Sequence, residues 1–213
     1  MTKSIAIYAE GGGDTAETST PFRQGMSAFL KPAVTVARRK NIRWRIIACG
    51  GRTRTFDLFK DALKKEPHVI SVLLVDAEEF GPFLNPPKPW KHLKHRKGDE
   101  WDQPEGCADD HCQLMVICME AWFLAHPDAI AKHFGKNFDR SKLPAPNLAE
   151  SRSKSNINTA LQQAAKNTAA KEYKKIRDGA KILAIIVPSE VRKHCKWCER
   201  LFTTLGKFLD AEL

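Results

Sequence analysis

Residues 69–76 read VISVLLVD, an unbroken apolar run of strand length, rich in β-branched residues and ended by an acid. A strand wet on one face alternates apolar with polar positions. A run without that alternation is what a strand buried on both faces requires, and such strands belong to parallel sheets covered by helices on each side. Outward from this run, residues 4–9 (SIAIYA) and 43–49 (RWRIIAC) supply two more strand-like segments. Between those two, Phe22, Met26, Phe29, Leu30 and Ala33 recur at helical spacing from Pro21 towards Ala37. Residues 53–65 place Phe56, Phe59 and Leu63 on one face of a second helix. The order β-α-β-α-β predicts an α/β fold with a parallel sheet and right-handed crossovers.

Residues 80–111 break the pattern with prolines and charges, which predicts a long irregular surface insertion. A fourth strand follows at 113–119 (QLMVICM), passing at Glu120 into a helix that Pro127 interrupts. Beyond it the chain reads as helical. Residues 151–173 are polar and alanine-rich, Gly179 marks a stop, Pro188 opens a short helix, and 198–213 form a closing amphipathic one. The expected organisation is an α/β domain over 1–150, with the insertion at about 80–111, and a helical C-terminal extension over 151–213 packed on it.

The sequence has 213 residues, 42% hydrophobic and 28% charged, in the range of ordinary globular chains. No apolar run approaches the roughly 20 residues that span a bilayer. Glu10 interrupts the only apolar stretch near the N-terminus, so the expected compartment is the cytoplasm, with no membrane partner. The net charge of +10 favours nucleic acid, other polyphosphates or an acidic protein. Its basic clusters include Arg52 and Arg54 after the second strand and Lys91 and Lys94 in the insertion, all candidates to anchor phosphates. Exposed tryptophans near them, Trp44 and Trp90, could stack on bases. Alternation in IRWRII instead turns Trp44 towards the core and its flanking arginines away. Six cysteines suit a reducing compartment as packing thiols; Cys195, Cys198, Cys107 and His111 are one candidate zinc set, a weak signal because only one CxxC is present.

In an open parallel sheet, ligands collect beyond the carboxyl ends of the strands. Glu10 ends the first strand, Asp76 the third, with Glu78 two residues on and Glu79 adjoining, and Glu120 ends the fourth. Glu10, Asp76, Glu78 and Glu120 are therefore the candidate ligands of a hard divalent cation, Mg²⁺ or Mn²⁺. An acid at a strand end is also often only solvated, or a helix cap. The loop after Glu10, GGGDTA, satisfies a loose dinucleotide-binding pattern, but Glu10 and Asp14 would face the pyrophosphate, and no acid ends the second strand to receive a ribose. Its glycines fit a tight turn that exposes Glu10.

The segments IYAEGGGDT and LLVDAEEF resemble the signature of Toprim domains: a strand ending in Glu-Gly and a later strand ending in paired acids. With LMVICMEAWFLA, YKKIRDGAKIL and VRKHCKWCERLFTTL, the chain is similar over most of its length to a compact prokaryotic Toprim-like, RloB-related family often encoded beside an ABC-type ATPase. The resemblance implies a Rossmannoid, mainly parallel four-stranded sheet flanked by helices. It implies a Mg²⁺- or Mn²⁺-dependent nuclease acting on DNA or RNA in antiviral defence, controlled by a partner ATPase. Glu10 matches the general acid/base, Asp76 the first metal ligand, and Glu78 the second, where aspartate is usual. Those three are the expected catalytic residues. Glu120 matches a Glu-Ala-Trp segment, and His126 stands where an acid is frequent. The alternative is a non-catalytic nucleic-acid-binding or regulatory subunit of an ATPase complex, with the helical C-terminal third available for docking or self-association.

Overall fold

A computed structural model describes residues 3–213. The chain order is β1 (Ser4–Ala9), α1 (Ala16–Phe29), α2 (Lys31–Arg39), β2 (Arg43–Ala48), α3 (Arg52–Lys65), β3 (Val69–Asp76), α4 (Pro89–His95), β4 (Cys112–Met115), α5 (Glu120–Leu124), α6 (Pro127–Phe134), α7 (Lys154–Ala165), α8 (Lys175–Leu183), α9 (Pro188–His194) and α10 (Lys196–Leu209). The four strands form one all-parallel sheet in the order β2-β1-β3-β4. The α/β class and the parallel, helix-flanked sheet expected from VISVLLVD are therefore what the chain adopts.

Strand periodicity divides the interior in two. Ile5, Ile7, Val72, Leu74 and Met115 face a first core, covered by α1, α2 and the helices that follow β4. Ala6, Tyr8, Leu73, Val75 and Leu114 face a second core under α3 and α4. The C-terminal helices share the first core with the sheet, since Ile157, Leu161, Leu183, Leu201, Phe202 and Leu205 are buried in it. Most of their large apolar side chains thus point inward, while Ile176, Ile185 and Val187 stay exposed.

Several local expectations are corrected. The helix read from Pro21 begins at Ala16 and divides at Leu30. Pro32 has no N–H for the Ala28 carbonyl, and the ladder resumes with the Val34 N–H on the Leu30 carbonyl (3.0 Å). Gly179 does not stop a helix but lies within α8; a single glycine weakens a helix without ending one whose apolar face is packed. The fourth strand stops at Met115, and residues 116–119 turn away, so Glu120 opens α5 rather than ending a strand.

The largest correction concerns residues 80–111. The segment contains α4, and its aromatic residues close the second core: Trp90 is 2% exposed and Trp101 8%. Trp101 stacks on Phe56 at 4.2 Å between centroids, and the Trp90 indole N–H donates to the Ala108 carbonyl (3.0 Å). Prolines and charges dominate its composition, while a few apolar anchors decide where it packs. Trp90 is accordingly out of reach of a nucleobase. Trp44 is half-buried against the first core, as the alternation in β2 requires.

One half-buried acid makes stability depend on pH. Glu150 accepts from the Trp197 N–H at the start of α10 (3.1 and 3.4 Å to its two oxygens). Burial raises its carboxyl to about 7, outweighing the N–H groups of Trp197, Lys196 and Cys198, which pull it down. A raised acid binds its proton more tightly when folded, so this contribution is complete below the ordinary value near 4.5 and is lost as pH rises through about 7. Glu150→Gln keeps an acceptor for the Trp197 N–H and cannot ionise. Its melting temperature relative to wild type should climb between pH 4.5 and 7.5, by the equivalent of about 1–2 kcal/mol. A constant offset across that range in thermal melts would contradict the assignment.

Candidate functional site

At the carboxyl end of the sheet, two central strands deliver three carboxylates to one point. Glu10 follows β1, and its N–H continues the ladder to the Leu74 carbonyl (2.9 Å). Asp76 is the last residue of β3 and is 2% exposed. Glu78 takes a left-handed backbone conformation (φ 69°), with its N–H on the Ile117 carbonyl (2.8 Å). One oxygen from each of Glu10, Asp76 and Glu78 lies within 4.8 Å of the others. Among the described residues this is the one group of acids, cysteines or histidines close enough to share a metal ion.

Each carboxylate is oriented by the chain. Glu10 Oε2 accepts from the Asp76 N–H (3.1 Å) and from Arg52 Nη1 (3.0 Å). Asp76 Oδ1 accepts from the Met119 N–H (2.9 Å), which leaves Oδ2 towards two lysines: Lys154 Nζ at 3.4 Å and Lys175 Nζ at 3.7 Å. Lys154 also donates to both oxygens of Glu78 (2.7 and 2.8 Å). Burial raises the Asp76 carboxyl to about 7; Lys175 and Lys154 pull it down, while Glu10 and Glu120 add to the rise. Burial alone would lower Lys175 and Lys154. The acids outweigh it and raise both, Glu120 and Asp76 acting on Lys175, and Asp76 and Glu78 on Lys154.

Glu120 sits next door, outside the triad. Its Oε1 accepts from the Tyr173 hydroxyl (3.1 Å) and lies 3.5 Å from Lys175 Nζ, so Lys175 links it to Asp76. Glu120 Oε2 is buried with no hydrogen-bond partner. Burial, then Glu120, raises the Tyr173 phenol well above its ordinary value and keeps it a donor. A cavity of about 180 Å³ opens beside these groups, lined by Glu10, Asp76 and Lys175 together with Phe22, Met119 and Ile176.

The glycine loop borders this cavity and is fastened to the end of β2. Gly11 and Gly50 exchange backbone hydrogen bonds (2.8 and 3.0 Å). Gly50 has φ 76°, and a Cβ there would lie 2.4 Å from Asp14 Oδ1. The glycines therefore serve a close approach of two loops that holds Glu10 at the rim.

The expected phosphate anchors are placed differently. Arg52, with its side chain 14% exposed, forms a two-pronged pair with Asp99 (Nε–Oδ1 2.7 Å, Nη2–Oδ2 2.6 Å) and donates to the Asp76 carbonyl (2.5 Å) as well as to Glu10. Its guanidinium also lies over Trp101 (5.1 Å). With its donors committed inside the protein, Arg52 positions Glu10 instead of holding a substrate phosphate. Arg54 is exposed and 3.8 Å from Asp14; Lys91 is exposed on α4; Lys94 pairs with Asp102 (2.7 Å). None of these three touches the triad. His126 accepts from the Val187 N–H (3.0 Å) and ties α6 to the chain before α9.

The four candidate zinc ligands do not meet. Cys107 lies in the second core, Cys195 and Cys198 in the first, across the sheet. Burial raises all three thiols, against the thiolate that zinc needs. His111 Nδ1 accepts from the Ala108 N–H (3.0 Å).

Lys154 and Asp99 belong to the site and carry no mark in the sequence; Tyr173 and Lys175 also belong to it and lie in YKKIRDGAKIL, a segment of the family resemblance that assigns them no role. Lysines abound in this chain, and no spacing sets Lys154 and Lys175 apart. A family described as a domain of unknown function, DUF4276, matches residues 9–206. The chain belongs to this family. The match spans every residue of the site, from Glu10 to Lys175, and takes in both the sheet and the C-terminal helices. No curated protein and no solved structure matches the chain.

Proposed function

We propose that this protein is a Mg²⁺- or Mn²⁺-dependent phosphodiesterase that cuts nucleic acid. The observation that carries the reading is the convergence of Glu10, Asp76 and Glu78 within 4.8 Å, at the strand ends where open parallel sheets bind ligands. The donor set suits the ion: all oxygen, all carboxylate, with the Lys154 ammonium already lying where positive charge is wanted. Asp76 and Glu78 would hold the cation, with Glu10 as the third oxygen donor. When bound, such an ion neutralises charge on a phosphodiester and makes its water a stronger nucleophile.

The chain's own groups do the rest. Arg52 and the Asp76 N–H orient Glu10 through Oε2, which leaves Oε1 as its donor atom to the cation. Lys175, at the edge of the cavity, is placed to pair with a phosphate oxygen. The +10 net charge draws in a polyanion from a distance. The resemblance to Toprim and RloB-related proteins supports the same assignment of acids. It extends the reading to an effector of prokaryotic antiviral defence whose cutting is controlled by a partner ATPase.

A second reading, a binding module without chemistry, is favoured by one observation: Lys154 already neutralises Glu78 and Asp76. The test is to incubate the protein with Mn²⁺ or Mg²⁺ and plasmid, single-stranded DNA or total tRNA, with and without an adjacent ATPase and ATP. Breaks that EDTA suppresses support the phosphodiesterase. Intact substrate throughout, with no Mn²⁺ heat in calorimetry, supports the module.

The lysine also yields a quantitative expectation. A cation entering the triad must displace or share with Lys154, so Lys154→Met should tighten Mn²⁺ binding by about tenfold, roughly 1.4 kcal/mol. That is a fraction of the ~4 kcal/mol interaction of unit charges about 4 Å apart near a protein surface. Unchanged or weaker binding in calorimetry would show that the ammonium and the ion do not compete.

A further inference from the structure

We propose that a groove beside the triad binds one unpaired nucleotide of a single-stranded nucleic acid, with its base on the ring of Phe80. The inference rests on the phosphodiesterase reading and names its substrate class. Phe80 follows Glu78 by two residues, and it is 52% exposed, one of the few large apolar side chains left in water among the described residues. The loop that carries it is fastened at several points. The buried His92 ring bonds the Ala77 carbonyl (2.9 Å), the Leu84 N–H donates to the Gly81 carbonyl (3.2 Å), and Leu84 packs on the second core. The ring is thus presented by an anchored turn and remains uncovered by its own chain.

Phe80 lines a groove of about 560 Å³ together with Asn147, Ser151 and the α9–α10 junction. Two segments frame both groove and triad: the chain leaving Glu78 reaches Phe80, and the chain entering Lys154 comes from Ser151. On this reading, a polymer with one phosphodiester at the triad places a nearby nucleotide in the groove. The lining chemistry fits a nucleotide: an aromatic face, the side-chain amides of Asn85 and Asn147 for a base edge, and Lys196 with His194 for a phosphate. The one acid in the lining, Glu150, is engaged with the Trp197 N–H. Bases in a duplex are stacked on each other and offer no free face to a ring, so the groove selects unpaired ones.

The test is fluorescence anisotropy with labelled oligo-dT, oligo-U and a duplex in EDTA, where cleavage plays no part. Phe80→Ala should weaken binding of the better single strand by about 5- to 100-fold, the range of one base–aromatic stack, and leave duplex binding unchanged. Phe80→Trp should retain affinity, and its added fluorescence should be quenched by the oligonucleotide. Lys196→Met should reduce the slope of log affinity against log salt by about 0.7. Wild-type affinity of Phe80→Ala for both single strands, or equal losses on single strand and duplex, would overturn the proposal. The two readings fail separately. If Phe80→Ala binds poorly but wild type cuts nothing with Mn²⁺, with or without the ATPase and ATP, the groove stands and the phosphodiesterase falls. If wild type cuts and Phe80→Ala binds normally, the reverse holds.

Discussion

Asp76→Ala is expected to lower metal-dependent strand cleavage by more than 100-fold and to remove Mn²⁺ binding from calorimetry. Changing residues that merely orient a metal's ligands costs 10–100-fold, and Asp76 would be a ligand itself. Its position leaves no substitute: Oδ1 is tied to the Met119 N–H, and only Oδ2 faces the lysines and the other acids. Asp76→Asn should fail in the same way, because the amide keeps the shape and loses the charge. The fold should survive both changes, since burial already disfavours the ionised carboxylate and its removal relieves that cost. Thermal melts separate loss of chemistry from loss of structure. Wild-type Mn²⁺ affinity in Asp76→Ala would remove the triad from the mechanism.

Arg52→Met is expected to be the most destabilising single change at the site, costing about 3–5 kcal/mol, the range for breaking a buried pair from one side. The Asp99 side chain is 1% exposed and would lose a two-pronged partner, while Glu10 and the Asp76 carbonyl would lose a donor. Arg96, 2.9 Å from Asp99, compensates only in part. For a chain of this size the loss corresponds to a fall in melting temperature of about 6–20 °C. Arg52→Lys should recover little, because an ammonium cannot reproduce the planar fork that grips Asp99 while also reaching Glu10. A loss below about 1 kcal/mol in urea denaturation would show that Arg52 is dispensable to the fold, and a phosphate-binding role would regain its place.

The contrast between Asp76 and Arg52 shows which features were legible before the fold was known. Asp76 and Glu10 stand where apolar runs stop, and strand ends on one edge of a parallel sheet must share a rim. Arg52 follows a strand in the same way, and the analogy pointed to solvent and phosphate. The turn of the 80–111 segment over α3 instead brings Asp99 and Trp101 against it. That segment has a loop's composition and a core's aromatic anchors, and the anchors decide its packing.

The sheet, its parallel sense and the two acids at its central strand ends are legible in the chain's own pattern. Those features follow from local patterns: unbroken apolar runs, helical spacing between them, and the residue at which each run ends. What surrounds the acids depends on packing between distant segments. Lys154 lies 78 residues from Asp76 along the chain, and Tyr173 lies 53 from Glu120. A lysine in a chain of net charge +10 carries no local signal of its partner. Whether it ends in water or on a buried carboxylate is set by how helices distant in sequence pack across one face of the sheet, and a pairing across that distance leaves no trace in the residues on either side.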